Sequence, residues 1–209
     1  MNEYFSYFLN NMGPDIHRRE APATSIECYR GDLPDLLLEF WGENGWSGYG
    51  DGIFWTVNPA DYDATVRTWL EASGIQDADT YHVVARSAFG DLYLWQSRTG
   101  STLNIDSVYA RYSLSARPLM SKAEANHHVE VFFMNKDRDT DDFDDLFTAA
   151  LKKLGRLEPD EMYGFVPALV LGGPSDPDHL QKVKIVEHLT FLSQLSPLRD
   201  WGFPNLDSL

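Results

Sequence analysis

The residues whose types and spacing could carry chemistry are few. Asp137-Arg138-Asp139-Thr140-Asp141-Asp142-Phe143-Asp144-Asp145 packs six aspartates into nine positions. Asp137, Asp139 and Asp141 stand where a calcium-binding EF-hand loop carries its first, third and fifth ligands. The sharp turn of that loop demands glycine at its sixth position and a bidentate glutamate at its twelfth. Asp142 and Thr148 stand there instead, so a calcium site fails where it is most constrained. Two uses remain for the carboxylates. Asp141 can cap a helix, with Asp142, Asp144 and Asp145 complementing its N-terminal dipole. The same charges, with Asp137 and Asp139, can form a patch for a basic partner.

The other constellations fall short of catalysis. His17, His82, His127, His128, His179 and His188 form no H-E-x-x-H pattern and no zinc spacing with the single cysteine, Cys28. Gly45-Trp46-Ser47-Gly48 lacks the final glycine of a nucleophile elbow, because Tyr49 takes its place. Gly48, Gly50 and Gly52 miss the dinucleotide-binding spacing and precede a strand rather than a helix. No catalytic, metal or cofactor residue is expected. Trp46 and Tyr49, in this glycine-rich stretch, are expected to be exposed and to serve with Asp51 as partner-binding anchors.

Several elements must position these residues. Periodicity predicts helices over 3–12, 33–44, 60–72, 121–134, 141–154 and 183–195, with a short one after Thr24-x-x-Glu27. An aromatic strand is expected over 53–57, four short strands over 81–85, 91–96, 101–105 and 108–112, and an extended segment over 163–171. The fold class that follows is α+β, in three stretches. A mainly helical N-terminal unit with an aromatic strand spans 1–75. It packs on a unit over 76–200 whose small antiparallel sheet is flanked by helices, and 201–209 form a tail. Trp41, Phe54, Trp55, Trp69 and Trp95 are expected to be buried.

Composition narrows the function classes. The 209 residues carry 32 acidic and 17 basic side chains, a formal charge of −15. Such a field repels phosphate backbones and speeds encounter with cationic proteins. With 13% aromatic residues the chain can build a real core. One cysteine excludes an internal disulfide. The N-terminus lacks the basic region and apolar run of a signal peptide, and no stretch reaches the ~20 apolar residues of a membrane helix. A cytoplasmic protein is expected.

The segment GPDIHRREAPATSIECYRGDLPDLLLEFWGENGWSGYGDGIFWTVNPADY resembles the GAD-like domain of bacterial type VI secretion immunity proteins. FGDLYLWQSRTG and EMYGFVPALVLGGPSDPDHLQKVKIVEHLTFLSQL resemble the C-terminal domain that accompanies it, named after immunity to a type VI DNase effector. Together the two resemblances run from about Phe5 to Leu195. They imply a non-enzymatic cytoplasmic protein that binds a cognate secreted toxin, a basic nuclease domain, and shields producer and kin cells. No direct contact with nucleic acid or membrane is implied, and the oligomeric state stays open. Two other functions stay open as well: an adaptor without a toxin partner, and a small hydrolase.

Overall fold

The computed structural model describes residues 2–139 and 141–202. Thr140 and the expected tail from 203 onward lie outside the described residues. Seven α-helices occur among them: α1 (Glu3–Met12), α2 (Ala23–Cys28), α3 (Asp35–Asn44), α4 (Asp63–Ala72), α5 (Lys122–Met134), α6 (Leu146–Leu154) and α7 (Ile185–Leu195). The strands are β1 (Ile16–Arg19), β2 (Trp46–Tyr49), β3 (Phe54–Thr56), β4 (Tyr81–Ser87), β5 (Leu92–Gln96), β6 (Thr102–Asp106), β7 (Arg111–Ser115), β8 (Glu161–Phe165), β9 (Leu180–Lys184) and β10 (Arg199–Asp200). Eight of them form one sheet in the order β1-β2-β3-β4-β5-β6-β7-β10. Each neighbour is antiparallel except β10, which joins β7 in parallel and makes the sheet mixed. The hairpin β8–β9 stands apart.

The class is α+β, as the periodicities imply. The first stretch holds four of the helices but also β1, β2 and β3, which begin the large sheet. The sheet also runs unbroken past residue 75, because β3 pairs with β4 through Phe54↔Ser87 and Trp55↔Arg86.

Strand alternation divides the core into two layers. On one side Phe54 and Tyr93 meet the helices α1 and α5. Phe54 lies 5.7 Å from Phe8 and 6.5 Å from Phe133, and Tyr93 lies 5.6 Å from Phe132. The sequence builds this layer directly. Phe5, Phe8 and Met12 recur at helical spacing on α1, where the Asn2 side chain accepts the Tyr4 amide. Phe40 of α3 closes the cluster 4.6 Å from both Phe5 and Phe133. Truncating any of these rings to Ala would cost about 3–5 kcal/mol. On the other side Trp55 and Arg86 stack at 4.7 Å, and α4 packs on α7 and β4. Trp69 of α4 donates its indole N–H to the Ser196 carbonyl at 2.9 Å.

The glycine-rich stretch has a packing role. A Cβ on Gly48 would sit 2.9 Å from the Trp55 ring, so only glycine lets the indole lie across β2. The indole in turn donates to the Gly52 carbonyl at 2.7 Å. Trp41, Phe54, Trp55, Trp69 and Trp95 are all buried, as expected. No helix among the described residues is long and apolar enough to cross a membrane.

Candidate functional site

The acidic segment lies between α5 and α6 and divides by direction. Asp141 turns inward. Its side chain is fully buried; the Lys136 ammonium donates to it at 3.1 Å and the Tyr93 hydroxyl at 2.5 Å. Lys136 lies over the Tyr93 ring at 3.5 Å. Burial pushes the Lys136 ammonium below its ordinary range against the pull of Asp141, and burial followed by Asp141 raises the Tyr93 hydroxyl. Just before β5, Asp91 accepts from the Ser87 hydroxyl at 2.8 Å. Burial and then the Asp106 charge push its carboxyl up to about 7.

This arrangement corrects the expected helix start. α6 begins at Leu146, five residues later than the periodicity predicts, and the capping carboxylate belongs to Asp142, which accepts the Phe147 amide at 2.7 Å. Asp141 turns instead to Lys136 and Tyr93. Asp137, Asp139, Asp144 and Asp145 are exposed, the last two with φ of 46° and 62°. Aspartate tolerates this left-handed backbone better than most residues.

Asp51 is neither in the core nor a lone surface charge. With φ of 62° at the turn between β2 and β3, it accepts Arg138 at 2.8 Å and Arg156 at 3.2 Å. It ties the first stretch of chain to the acidic segment and to the approach to β8. Trp46 and Tyr49 depart from expectation. They lie on β2, an inner strand between β1 and β3, and are 5% and 0% exposed. Trp46 packs on Trp41 at 5.8 Å, and Tyr49 on Phe8 at 4.9 Å. Buried this way, neither can reach a partner. The glycines make room for a strand against the Trp55 ring rather than forming a surface loop.

A cavity of 340 Å³ opens between α5 and the β5–β6 face, lined by Tyr93, Trp95, Asn104, His128, Phe132 and Lys136 among others. Its lining is mostly apolar, and its one ammonium is engaged by Asp141. Among the described residues, no group of three or more His, Cys, Asp or Glu side chains could hold a metal ion.

One feature escaped sequence reasoning. Tyr109, Phe143 and Trp201 meet at the far end of the β6–β7 hairpin. Tyr109 stacks on Phe143 at 5.7 Å and meets Trp201 edge-on at 6.4 Å. They come from segments 34 or more positions apart, so no local pattern could have joined them.

The family model described as the GAD-like domain matches residues 3–109. That described as the C-terminal domain of the type VI secretion immunity protein Tdi1 matches residues 126–196. No curated protein matches the chain. The crystal structure of Atu4351 from Agrobacterium tumefaciens shares the fold, with a TM-score of 0.85 at 21% identity over 96% of this chain and 94% of that one. With a GAD-like match over more than half its length and the Tdi1 match behind it, the chain belongs to the GAD-like family, in the two-part architecture of a type VI secretion immunity protein.

Proposed function

We propose that the chain binds and neutralises a cognate type VI secreted toxin, a DNase, without catalysis of its own, and so protects the cytoplasm of producer and kin cells. The observation that carries this reading is the outward half of the acidic segment. Asp137, Asp139, Asp144 and Asp145 are held at the surface by a loop pinned from below through Lys136–Asp141 and from the side through Asp51–Arg138. A nuclease must present a basic groove to its substrate. Fixed carboxylates on a chain of charge −15 are suited to capture that groove quickly. These two pairs brace the loop, which lowers the ordering entropy that opposes the encounter.

The test is co-expression with the toxin encoded beside it, together with binding of the two purified chains. Rescue of growth, and a complex of equal stoichiometry whose association slows steeply with salt, are the expected results. A toxin that kills despite co-expression, or chains that stay separate in solution, would overturn the role. Plasmid nicking by the toxin domain alone, abolished by the complex, would establish the DNase chemistry.

A further inference from the structure

The aromatic trio at the end of the β6–β7 hairpin is built outward from the core. Phe143 is half-buried, resting on Phe89 at 5.6 Å and Phe165 at 5.4 Å. Tyr109 stacks upon it and leans on Trp201. Tyr109 and Trp201 each remain 42% exposed, although rings of this size are mostly interior. The Arg111 guanidinium lies over the Trp201 ring at 5.5 Å, so this surface already takes a cation on an aromatic face.

Carboxylates rim the trio. Asp144 and Asp145 follow Phe143 directly and are exposed on left-handed backbone. Asp106, at the end of β6, accepts the Tyr109 amide at 3.1 Å. Partial burial, then Asp144 and Asp106, raise the Tyr109 hydroxyl above its ordinary range, as expected where carboxylates crowd the ring. Rigid aromatics at a centre with charge at the rim have the make-up of an interaction hot spot. Such rings lose little rotamer freedom when covered.

We propose that the Tyr109–Phe143–Trp201 ridge, rimmed by Asp106, Asp144 and Asp145, is the docking surface for a basic protein face, that of the toxin in the role proposed above. Charge selects this occupant. A second copy of the chain would bring the same carboxylates against themselves, on molecules each carrying −15. Nucleic acid and anionic lipid are repelled in the same way. A cationic protein face offers arginines that stack on Tyr109 and Trp201 while pairing with Asp144 and Asp145. The carboxylates then govern the rate of encounter, and the ridge governs how long the complex lasts.

The experiment measures association and dissociation of the full chain with the toxin domain encoded beside it, each variant first checked for the parent's melting temperature. Trp201→Ala lies beyond the last strand and Tyr109→Ala in a turn. Each should weaken binding by about thirtyfold, mostly through faster dissociation. Should Tyr109→Ala fail to fold, Trp201→Ala alone carries the same test. The pair Asp144→Asn and Asp145→Asn keeps a side chain that tolerates the left-handed backbone. It should slow association several-fold at low salt and leave dissociation nearly unchanged. Dissociation within twofold of the parent for folded Trp201→Ala and Tyr109→Ala overturns the ridge as the docking surface while leaving the neutralising role intact. Self-association of the parent, lost in those same variants, also overturns it by making a second copy the occupant. A parent chain that does not bind the toxin is a different failure: it removes the neutralising role, and the proposed occupant of the ridge with it.

Discussion

Asp141 and Asp144 stand three positions apart in one loop and live in opposite environments. Asp141 is sealed against Lys136 and Tyr93, with its side chain fully buried. Asp144 is exposed on left-handed backbone beside the aromatic ridge. A buried carboxylate and its ammonium gain from each other, but both have lost water, so the pair is worth little net stability relative to an apolar replacement. What it supplies is position: neither partner can leave without stranding the other. An exposed carboxylate contributes almost nothing to folding and acts only on what approaches from outside. A run of like charges is therefore two devices, one holding the loop and one presenting charge from it.

The sharpest way to break this comparison is Asp141→Ala. It leaves the Lys136 ammonium without its carboxylate in a buried site, and should cost about 3–5 kcal/mol. Asp144→Asn should stay within about 0.5 kcal/mol of the parent. Urea denaturation of both variants decides the matter, and equal losses would abolish the distinction.

Asp91 extends the inward side to pH. Its folded carboxyl, pushed up to about 7, holds a proton that the unfolded chain has released. This contribution is fully present below about pH 4, is lost as pH rises through 7, and is flat beyond. Asp91→Asn should remove a decline on the order of 2 kcal/mol across that window, since part of the residue reaches the surface and softens the effect. Parallel slopes for parent and variant between pH 4 and 7 would refute the assignment.

On the outward side, replacing Asp137, Asp139, Asp144 and Asp145 together by Asn should slow toxin association by about tenfold at low salt, with stability nearly untouched. An unchanged association rate would make these residues ordinary surface. Asp51 touches both devices. Its two ion pairs are partly exposed, so Asp51→Asn, which keeps the left-handed turn, should lower stability by less than about 1 kcal/mol. Faster proteolysis near Arg138 would report the loosened loop.

How far the sequence made this legible depends on how local the cause was. α1 spans Glu3–Met12 as its periodicity dictates. α5 starts at Lys122 behind Ser121 because Ser121 and Glu124 form a complete capping box. Thr24 and Glu27 have the same spacing, yet α2 begins after Pro22 with no side-chain cap. The strand expected over 108–112 appears three residues later, because Asp106 holds the Tyr109 amide and fixes a turn there. β1 (IHRR) and the two-residue β10 carry no apolar alternation and exist because neighbours pair with them. Likewise for the site: composition made the acidity plain, but only tertiary packing could reveal that Lys136 and Tyr93 claim Asp141, that β2 buries Trp46 and Tyr49, and that Trp201 returns to Tyr109.

The parallel strand β10 has a consequence for how such chains can be recombined. After the excursion through β8, β9 and α7, Arg199 and Asp200 return to cover β7, with Arg199 donating to the Ala110 carbonyl at 3.0 Å. The far end of the C-terminal half thus becomes the last rung on the half that precedes it. A gene fusion that exchanged everything after residue 125 for another partner would uncover the Arg111–Tyr112 end of β7 that β10 pairs, and an unpaired edge of this kind is a template for other chains. Only a replacement that brought its own closing strand would yield a well-behaved protein, so modular shuffling in this architecture is restricted to tails that mend the edge they inherit.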